Sequence, residues 1–378
     1  MFKSVLRFTL PFILLLTGCA QHQTPPVSTS NRYARFFSIK HFENFSLLRI
    51  IRPYPGAKPQ TYVLIPRNHQ PSLPDSLKKY PIVPVPLKRI VATSVTHLEP
   101  LEMLGAGESV VGFPQTHYIV SNFYQRQIQK GKLVDIGNEL MPDPETILAL
   151  HPEALLVFST GNDHKDFSLY HKAGIPIIYI AEWLETHPLG RTEWLRVFGA
   201  LTGKQNLADS AFERIRSHYE HLHDSITLLL QNRKRPKVFR GGMFADKWYM
   251  AGGQSWAAKL IYDAGGDYVL GNNNETGSIA INFENALQYL VSADIWLDPG
   301  SWTSRHQILQ ALPQAKQAPF WINHKIFSVN LKTNERGQII FFERSPMHPD
   351  WVLADLSHIF FSDTIHPEHL YFYAPLPD

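Results

Sequence analysis

The sequence predicts an α/β protein built as two similar halves joined by one long helix. Three observations carry this. Short β-rich runs alternate with helical patterns along most of the chain, the pattern of parallel sheets flanked by helices. One helix–strand signature occurs twice. An apolar stripe at helical spacing runs for about six turns between the two copies.

The N-terminus comes first. Lys3 and Arg7 precede an apolar stretch from Phe8 to Leu16, and Leu16-Thr17-Gly18-Cys19 follows. A basic start, a short apolar core and small residues before a cut site make a secretory signal. The Leu-Thr-Gly-Cys run resembles the lipobox of bacterial lipoproteins. That resemblance implies cleavage before Cys19, lipidation of Cys19 and a membrane-anchored protein on the periplasmic or cell-surface side. Residues 1–18 are thus expected to be a signal peptide. Residues 19–35, with Pro25-Pro26, are expected to be a flexible lipidated tether.

The body is expected to comprise an N-terminal α/β lobe over 36–203, a linker helix over 204–235 and a C-terminal α/β lobe over 236–378. In the first lobe, Arg89–Thr93 reads as a strand and Val95–Leu104 as a helix ended by Gly105. Leu155–Phe158 and Ile177–Ile180 read as buried strands. Residues 36–88 are proline-rich with short apolar runs such as Tyr62–Ile65, and predict added strands or a wrapping segment. In the linker, Ala208, Phe212, Ile215, Tyr219, Leu222, Ile226 and Leu229 recur at spacings of four and three. Asn206 can cap its start and Pro236 stops it. Leu207 to Gln231 would span about 38 Å, enough to bridge two lobes stiffly. Lys237–Phe239 restarts a strand at once.

The repeat pairs Asp143-Pro144-Glu145-Thr146-Ile147-Leu148, leading to Ala154–Val157, with Asn282-Phe283-Glu284-Asn285-Ala286-Leu287, leading to Ala293–Trp296. Each copy has Asp or Asn at a helix N-cap and Glu at the second helical position. A shorter match pairs Gly107–Gly112 with Gly266–Gly271.

Composition excludes several classes. With 378 residues, two or three domains are expected. Apolar residues at 44% and charged residues at 18% exclude a disordered chain. Lys plus Arg at 36 against Asp plus Glu at 33 leaves no general basic field for nucleic acid. A single cysteine excludes a disulfide framework, a cysteine zinc site and an iron–sulfur cluster. Enzyme motifs fail in context. Gly105-Ala106-Gly107 follows a helix and has Val110 where a dinucleotide loop needs Gly. Gly253-Gln254-Ser255 has Ala257 where a nucleophile elbow needs Gly. His218, His221 and His223 with Glu220 match no metallopeptidase spacing and fall on more than one helix face.

Arg89–Ser94 with Leu101–Gly107, Val134–Gly137 with Pro144–Pro152, Gly252–Ser255 and Asp263–Gly266 resemble segments of class III substrate-binding proteins, over about residues 85–360. These serve ATP-driven importers of iron complexes, haem and cobalamin. The resemblance implies two Rossmann-like lobes bridged by one long helix, with residues 36–88 as an extension. It implies no enzymatic activity and no intrinsic cofactor, a transported ligand that can contain iron or cobalt, and a monomer partnered by an ABC permease and its ATPase subunits. Docking to the permease falls by motif on Glu145 and Glu284. Carboxylates at such helix starts stay exposed and gain roughly 0.3–1 kcal/mol from the helix dipole.

Ligands of open α/β sheets bind beyond the C-terminal ends of the strands. Loops there are expected to carry His97, Gln115–Tyr118, Ser159–Asn162, Phe244–Tyr249 and Trp302. His97, His117, Tyr118, Trp248, Tyr249, Trp302 and Arg344 are the candidate ligand-binding residues: aromatics for a large flat or macrocyclic metal chelate or tetrapyrrole, imidazole or phenol for iron, Arg344 for acidic groups. The alternatives are a zinc- or manganese-binding lipoprotein using scattered histidines and a cell-envelope enzyme.

Overall fold

The computed structural model describes residues 27–138, 142–161, 167–244, 247–362 and 367–378. The signal, Cys19 and the tether up to residue 26 lie outside the described residues. A parallel sheet and a mixed sheet with a four-stranded parallel core, each flanked by helices, form two α/β lobes, and a third sheet precedes them.

The N-terminal extension is that third sheet. Its strands are β1 (Val27–Thr29), β2 (Phe37–His41), β3 (Ser46–Ile50), β4 (Gln60–Pro66) and β5 (Ile82–Val85), in sequential order. Pairing is antiparallel up to β4, and β4–β5 is parallel. The inward residues Phe37, Ile39, Leu48, Ile50, Tyr62 and Leu64 share one core with Trp194, Phe198 and Leu201 of the first lobe. The extension is therefore packed in rather than appended. Two buried carboxylates fix its entry. Glu193 accepts the backbone N–H groups of Arg32, Tyr33 and Ala34 at 2.7–2.9 Å. Glu185 accepts those of Arg35 and Phe36, and Trp194 Nε1 at 3.0 Å. Residues 32–35, assigned to the flexible tether from sequence, are thus held. Loose backbone donors became bound because buried acceptors needed partners.

The first lobe's sheet has β6 (Ile90–Ala92), β7 (Val110–Phe113), β8 (Val134–Asp135), β9 (Ala154–Val157) and β10 (Ile177–Tyr179) in the order β10-β9-β6-β7-β8, all parallel. The strands expected at 89–93, 155–158 and 177–180 are β6, β9 and β10. The expected helix after β6 starts with a 3-10 turn, Val95–His97, capped by Ser94, and continues as Leu98–Met103. Gly105 follows at φ +64°, a left-handed terminator that glycine adopts without strain.

The second lobe repeats this plan. Its strands are β11 (Lys237–Phe244), β12 (Lys247–Ala251), β13 (Asp267–Tyr268), β14 (Ser278–Ile281), β15 (Ile295–Leu297), β16 (Ile326–Ser328) and β17 (Ala374–Pro375). The parallel strands β13, β11, β15 and β16 lie in the same relative order as β7, β6, β9 and β10. The internal sequence repeat is therefore a structural one. Asp143 caps the helix Pro144–Ala149 ahead of β9, and Asn282 caps Phe283–Val291 ahead of β15.

The linker is one helix, Gln205–Leu229, of 25 residues. Ala208, Phe212, Ile215, Tyr219 and Ile226 are buried as the stripe predicts, while Leu229 is exposed at the C-terminal end. Lys204, not Asn206, occupies the N-cap, without a side-chain bond. The helix packs on Leu195–Thr202 from the first lobe and on Pro349–Phe361 from the second. Two histidines along it face the second lobe: His218 Nδ1 is 2.7 Å from Asp350, and His223 Nε2 is 3.7 Å from Asp263 in the helix Trp256–Asp263. Glu220 bonds Tyr33 and Arg216.

Candidate ligand-binding cleft

A cavity of about 1240 Å³ lies at the C-terminal ends of β11, β15 and β16. Pro55, Trp183, Leu184 and Arg191 wall it on the first-lobe side. Met243, Phe244, Tyr249, Trp256, Phe341 and Phe342 wall it on the other. Its lining is mostly apolar, the chemistry expected of a site for a bulky ligand.

The local sequence makes this space. β11 runs past its parallel neighbours and folds back antiparallel as β12, which pairs with β14. Gly241 and Gly242 lie at the point of departure. A Cβ on Gly242 would fall 2.4 Å from the Gly300 nitrogen, so β11 and the loop after β15 meet only because neither residue has a side chain. On β12 the residues alternate: Trp248 and Met250 point into the core, Lys247 and Tyr249 outward.

Two arginines bracket one indole. Arg191 lies over the Trp256 ring at 4.5 Å from its centroid and Arg240 at 5.5 Å. Arg240 Nε donates to Asp298 Oδ2 at 2.8 Å. Burial disfavours the Arg240 charge, but Tyr373 and the Asp298 carboxylate outweigh it and hold the guanidinium above its ordinary value. Asp298 occupies the left-handed region at φ +58°, fixed there by Arg240 and by the Val329 N–H on its other oxygen at 3.2 Å. Arg191 is less well compensated. Its pKa is lowered by burial, Glu182 stands 3.9 Å away, and its Nε makes no hydrogen bond among the described residues. The arrangement sets a cationic guanidinium against an aromatic face on the cavity wall.

One segment ties the lobes together next to this cavity. Glu343, in the helix Phe341–Arg344, accepts the backbone N–H groups of Val120 and Ser121 at 2.6 and 2.9 Å. Burial pushes its pKa up to about 7 against those bonds. His348 Nε2 lies 2.9 Å from Glu99, and Arg336 donates to the Val120 carbonyl at 2.9 Å. Phe341 and Phe342, flanking this latch, face the cavity.

Of the sequence candidates, Tyr249 lines the cavity. Trp248 does not. It is fully buried against Phe239, Trp296 and Trp302, because strand alternation turns it away from Tyr249. Trp302 packs on Trp248 and Trp296, while its neighbours Gly300 and Ser301 line the space. His97 is fully buried in the first lobe, with burial lowering its pKa to about 3, so it presents no ring to a ligand. His117 and Tyr118 sit together at the edge of the first lobe, where Gln338 of the interlobe segment binds the His117 carbonyl. Arg344 lies 3.8 Å from Glu99 and outside the cavity wall. Glu145 and Glu284 are exposed at their helix starts. Sequence reasoning missed Arg191, Arg240, Asp298 and Trp256. The signals available were Gly241-Gly242 after a strand and Asp298 immediately after the apolar run Ile295–Leu297.

A family model described as periplasmic binding protein matches residues 90–330, spanning both lobes and the helix between them. The chain belongs to the periplasmic binding proteins. Its fold is the class III one, shared with solved structures of a periplasmic haem-binding protein, a periplasmic vitamin B12-binding protein and a siderophore-binding protein. An uncharacterized lipoprotein of Methanocaldococcus jannaschii is 24% identical over 329 residues, covering 77% of this chain and 78% of its own. A periplasmic haem-binding protein from Pseudomonas aeruginosa superposes with a TM-score of 0.55 at 17% identity, over 73% of this chain and 93% of its own. A periplasmic binding protein from Veillonella parvula reaches a TM-score of 0.58 at 13% identity, over 94% of this chain and 95% of its own. In this periplasmic binding protein the cavity therefore occupies the cleft between the two lobes of a solute-binding fold.

Proposed function

We propose that this periplasmic binding protein is a lipoprotein that captures a large, mainly apolar metal chelate or tetrapyrrole and delivers it to an ABC permease. The single observation that carries this is the interlobe cavity of about 1240 Å³, mostly apolar, with the Arg191–Trp256–Arg240 cluster on its wall. An aromatic and methionine-lined space of that size suits a flat or macrocyclic body. Asp298 holds Arg240, and the Arg191 and Arg240 side chains on the wall supply positive charge for a carboxylate, amide or hydroxamate oxygen on the ligand. Tyr249, half-exposed on the opposite wall, is the one sequence candidate positioned to touch the ligand. Glu145 and Glu284 are the proposed permease contacts, equivalent by the lobe repeat and both exposed. Cys19 is the proposed lipid anchor.

The test is binding of haemin, ferrioxamine B and cyanocobalamin to the purified chain, with zinc and manganese ions alongside. Saturable one-to-one binding of at least one chelate or tetrapyrrole is expected. Tight binding of a free ion and of none of the three would favour a metal-ion binding protein.

A further inference from the structure

We propose that the N-terminal extension is part of the ligand site: its Tyr54–Ala57 turn is a fixed lip that contacts the bound ligand and helps select it. The proposal rests on the cleft being the capture site.

The turn is rigid by its chemistry. The Ala57 N–H donates to the Tyr54 carbonyl at 3.1 Å, closing a four-residue turn. Proline fills its second position and glycine its third, where Gly56 has φ +81°. That is a type II turn, which needs positive φ at the third position and favours proline at the second. Pro55 at its tip lies on the cavity wall beside Trp183, Leu184 and Arg191.

The turn is also seated. The Tyr54 ring packs edge-on against Tyr179, 5.7 Å between centroids, at the end of β10. It covers Gly161 in the loop after β9, where a Cβ would come within 2.7 Å of the ring. Gly161 has φ +86°. Below the turn, the Tyr62 hydroxyl donates to the Ile177 carbonyl at 2.7 Å, pinning β4 to the first lobe's edge strand. The extension thus reaches over the C-terminal ends of β9 and β10, the edge at which open α/β sheets receive ligands.

This wall lies outside the shorter frame: the family model begins at residue 90, and the Pseudomonas haem-binding protein is nearly fully covered while matching 73% of this chain, whereas the Veillonella binding protein, aligned over 94% of this chain, extends across it. The lip is therefore a feature by which this chain can discriminate among ligands that a two-lobe cleft alone would admit.

The experiment compares the parent with Pro55→Lys and with Tyr54→Ala/Pro55→Gly, using haemin, ferrioxamine B and cyanocobalamin as probes. Pro55 is exposed, so Pro55→Lys keeps the fold even where loss of Tyr54 does not. The expected result is about tenfold weaker binding of the parent's preferred probe by folded variants, with a smaller spread among the three probes. Unchanged affinity and ranking in folded Pro55→Lys would overturn the lip while leaving the cleft reading intact. Failure of the parent to bind any of the three would overturn both.

Discussion

The two lobes share four parallel strands in one order, yet they contribute unequally to the cleft. In the first lobe, β6 stops at Ala92 and the chain turns straight into a helix. In the second, the equivalent β11 runs on to Phe244 and folds back as β12, with β14 alongside. That ribbon supplies Met243, Phe244 and Tyr249 to the cavity, and β15 supplies Asp298 at its end. The first lobe answers through Trp183, Leu184 and Arg191, which follow its sheet, and through the extension. A duplicated scaffold has been made into an asymmetric site by lengthening one strand in one copy and adding a sheet to the other.

Breaking the second lobe's charged pair should have the largest effect. Arg240→Met leaves the Asp298 carboxylate part-buried without its partner. A loss of roughly 3–5 kcal/mol is expected, together with loss of ligand binding, read by chemical denaturation and by titration. Arg191→Met should cost less stability and more affinity, because burial already disfavours its charge in the folded chain and Glu182 stands 3.9 Å away rather than in a hydrogen bond. Equal stability losses in the two variants would contradict the asymmetry.

Adjacent residues on β12 sharpen the same point. Trp248→Ala opens a cavity in the second lobe's core and should cost about 3–5 kcal/mol. Tyr249→Ala should leave the melting temperature nearly unchanged and weaken ligand binding. A reversed outcome would mean that β12 is shifted by one residue.

The interlobe latch gives a pH signature. Glu343 has its pKa pushed up to about 7, so the folded chain keeps that proton longer than the unfolded chain. Its contribution is complete below the ordinary value of 4.5 and is lost as pH rises through about 7. Glu185, also pushed up to about 7 by burial, acts in the same window. His187, lowered to about 4 by burial, acts oppositely: its contribution is present above 6.5 and lost as pH falls through about 4. Glu343→Gln should therefore flatten the fall in stability between pH 5 and 8 by up to about 3 kcal/mol. A variant profile parallel to the parent's would show that the latch is not titrating.

The smallest effect on the isolated protein belongs to the lobe repeat itself. Glu145→Arg with Glu284→Arg should leave folding and ligand affinity near parental and abolish uptake in cells. Single variants should be intermediate. Parental uptake in the double variant would refute the docking role.

How much of this was legible in the sequence follows from range. The helix Gln205–Leu229, the capped helices after Asp143 and Asn282 and the strands β6, β9 and β10 are set by local periodicity and capping, which a linear reading detects. The extension's sheet was legible only as apolar runs, because its pairing partners are distant in sequence. The cleft residues were harder. Trp248 is an aromatic beside Tyr249, yet the alternation in Lys247-Trp248-Tyr249-Met250 assigns it to the core face. Arg191 and Arg240 meet Trp256 only through the packing of the lobes, and no spacing announces it. His97 carried a polar ring in an apolar setting, and burial among residues such as Phe198 made it part of the core.

The most direct test of the central claim is quenching of tryptophan fluorescence on titration with haemin, ferrioxamine B and cyanocobalamin, since Trp183 and Trp256 line the cleft. Saturable one-to-one quenching by at least one of them, with a reduced amplitude in Trp256→Phe, is the predicted result. Quenching that is absent with all three, or that has the same amplitude in Trp256→Phe, would contradict capture in this cleft.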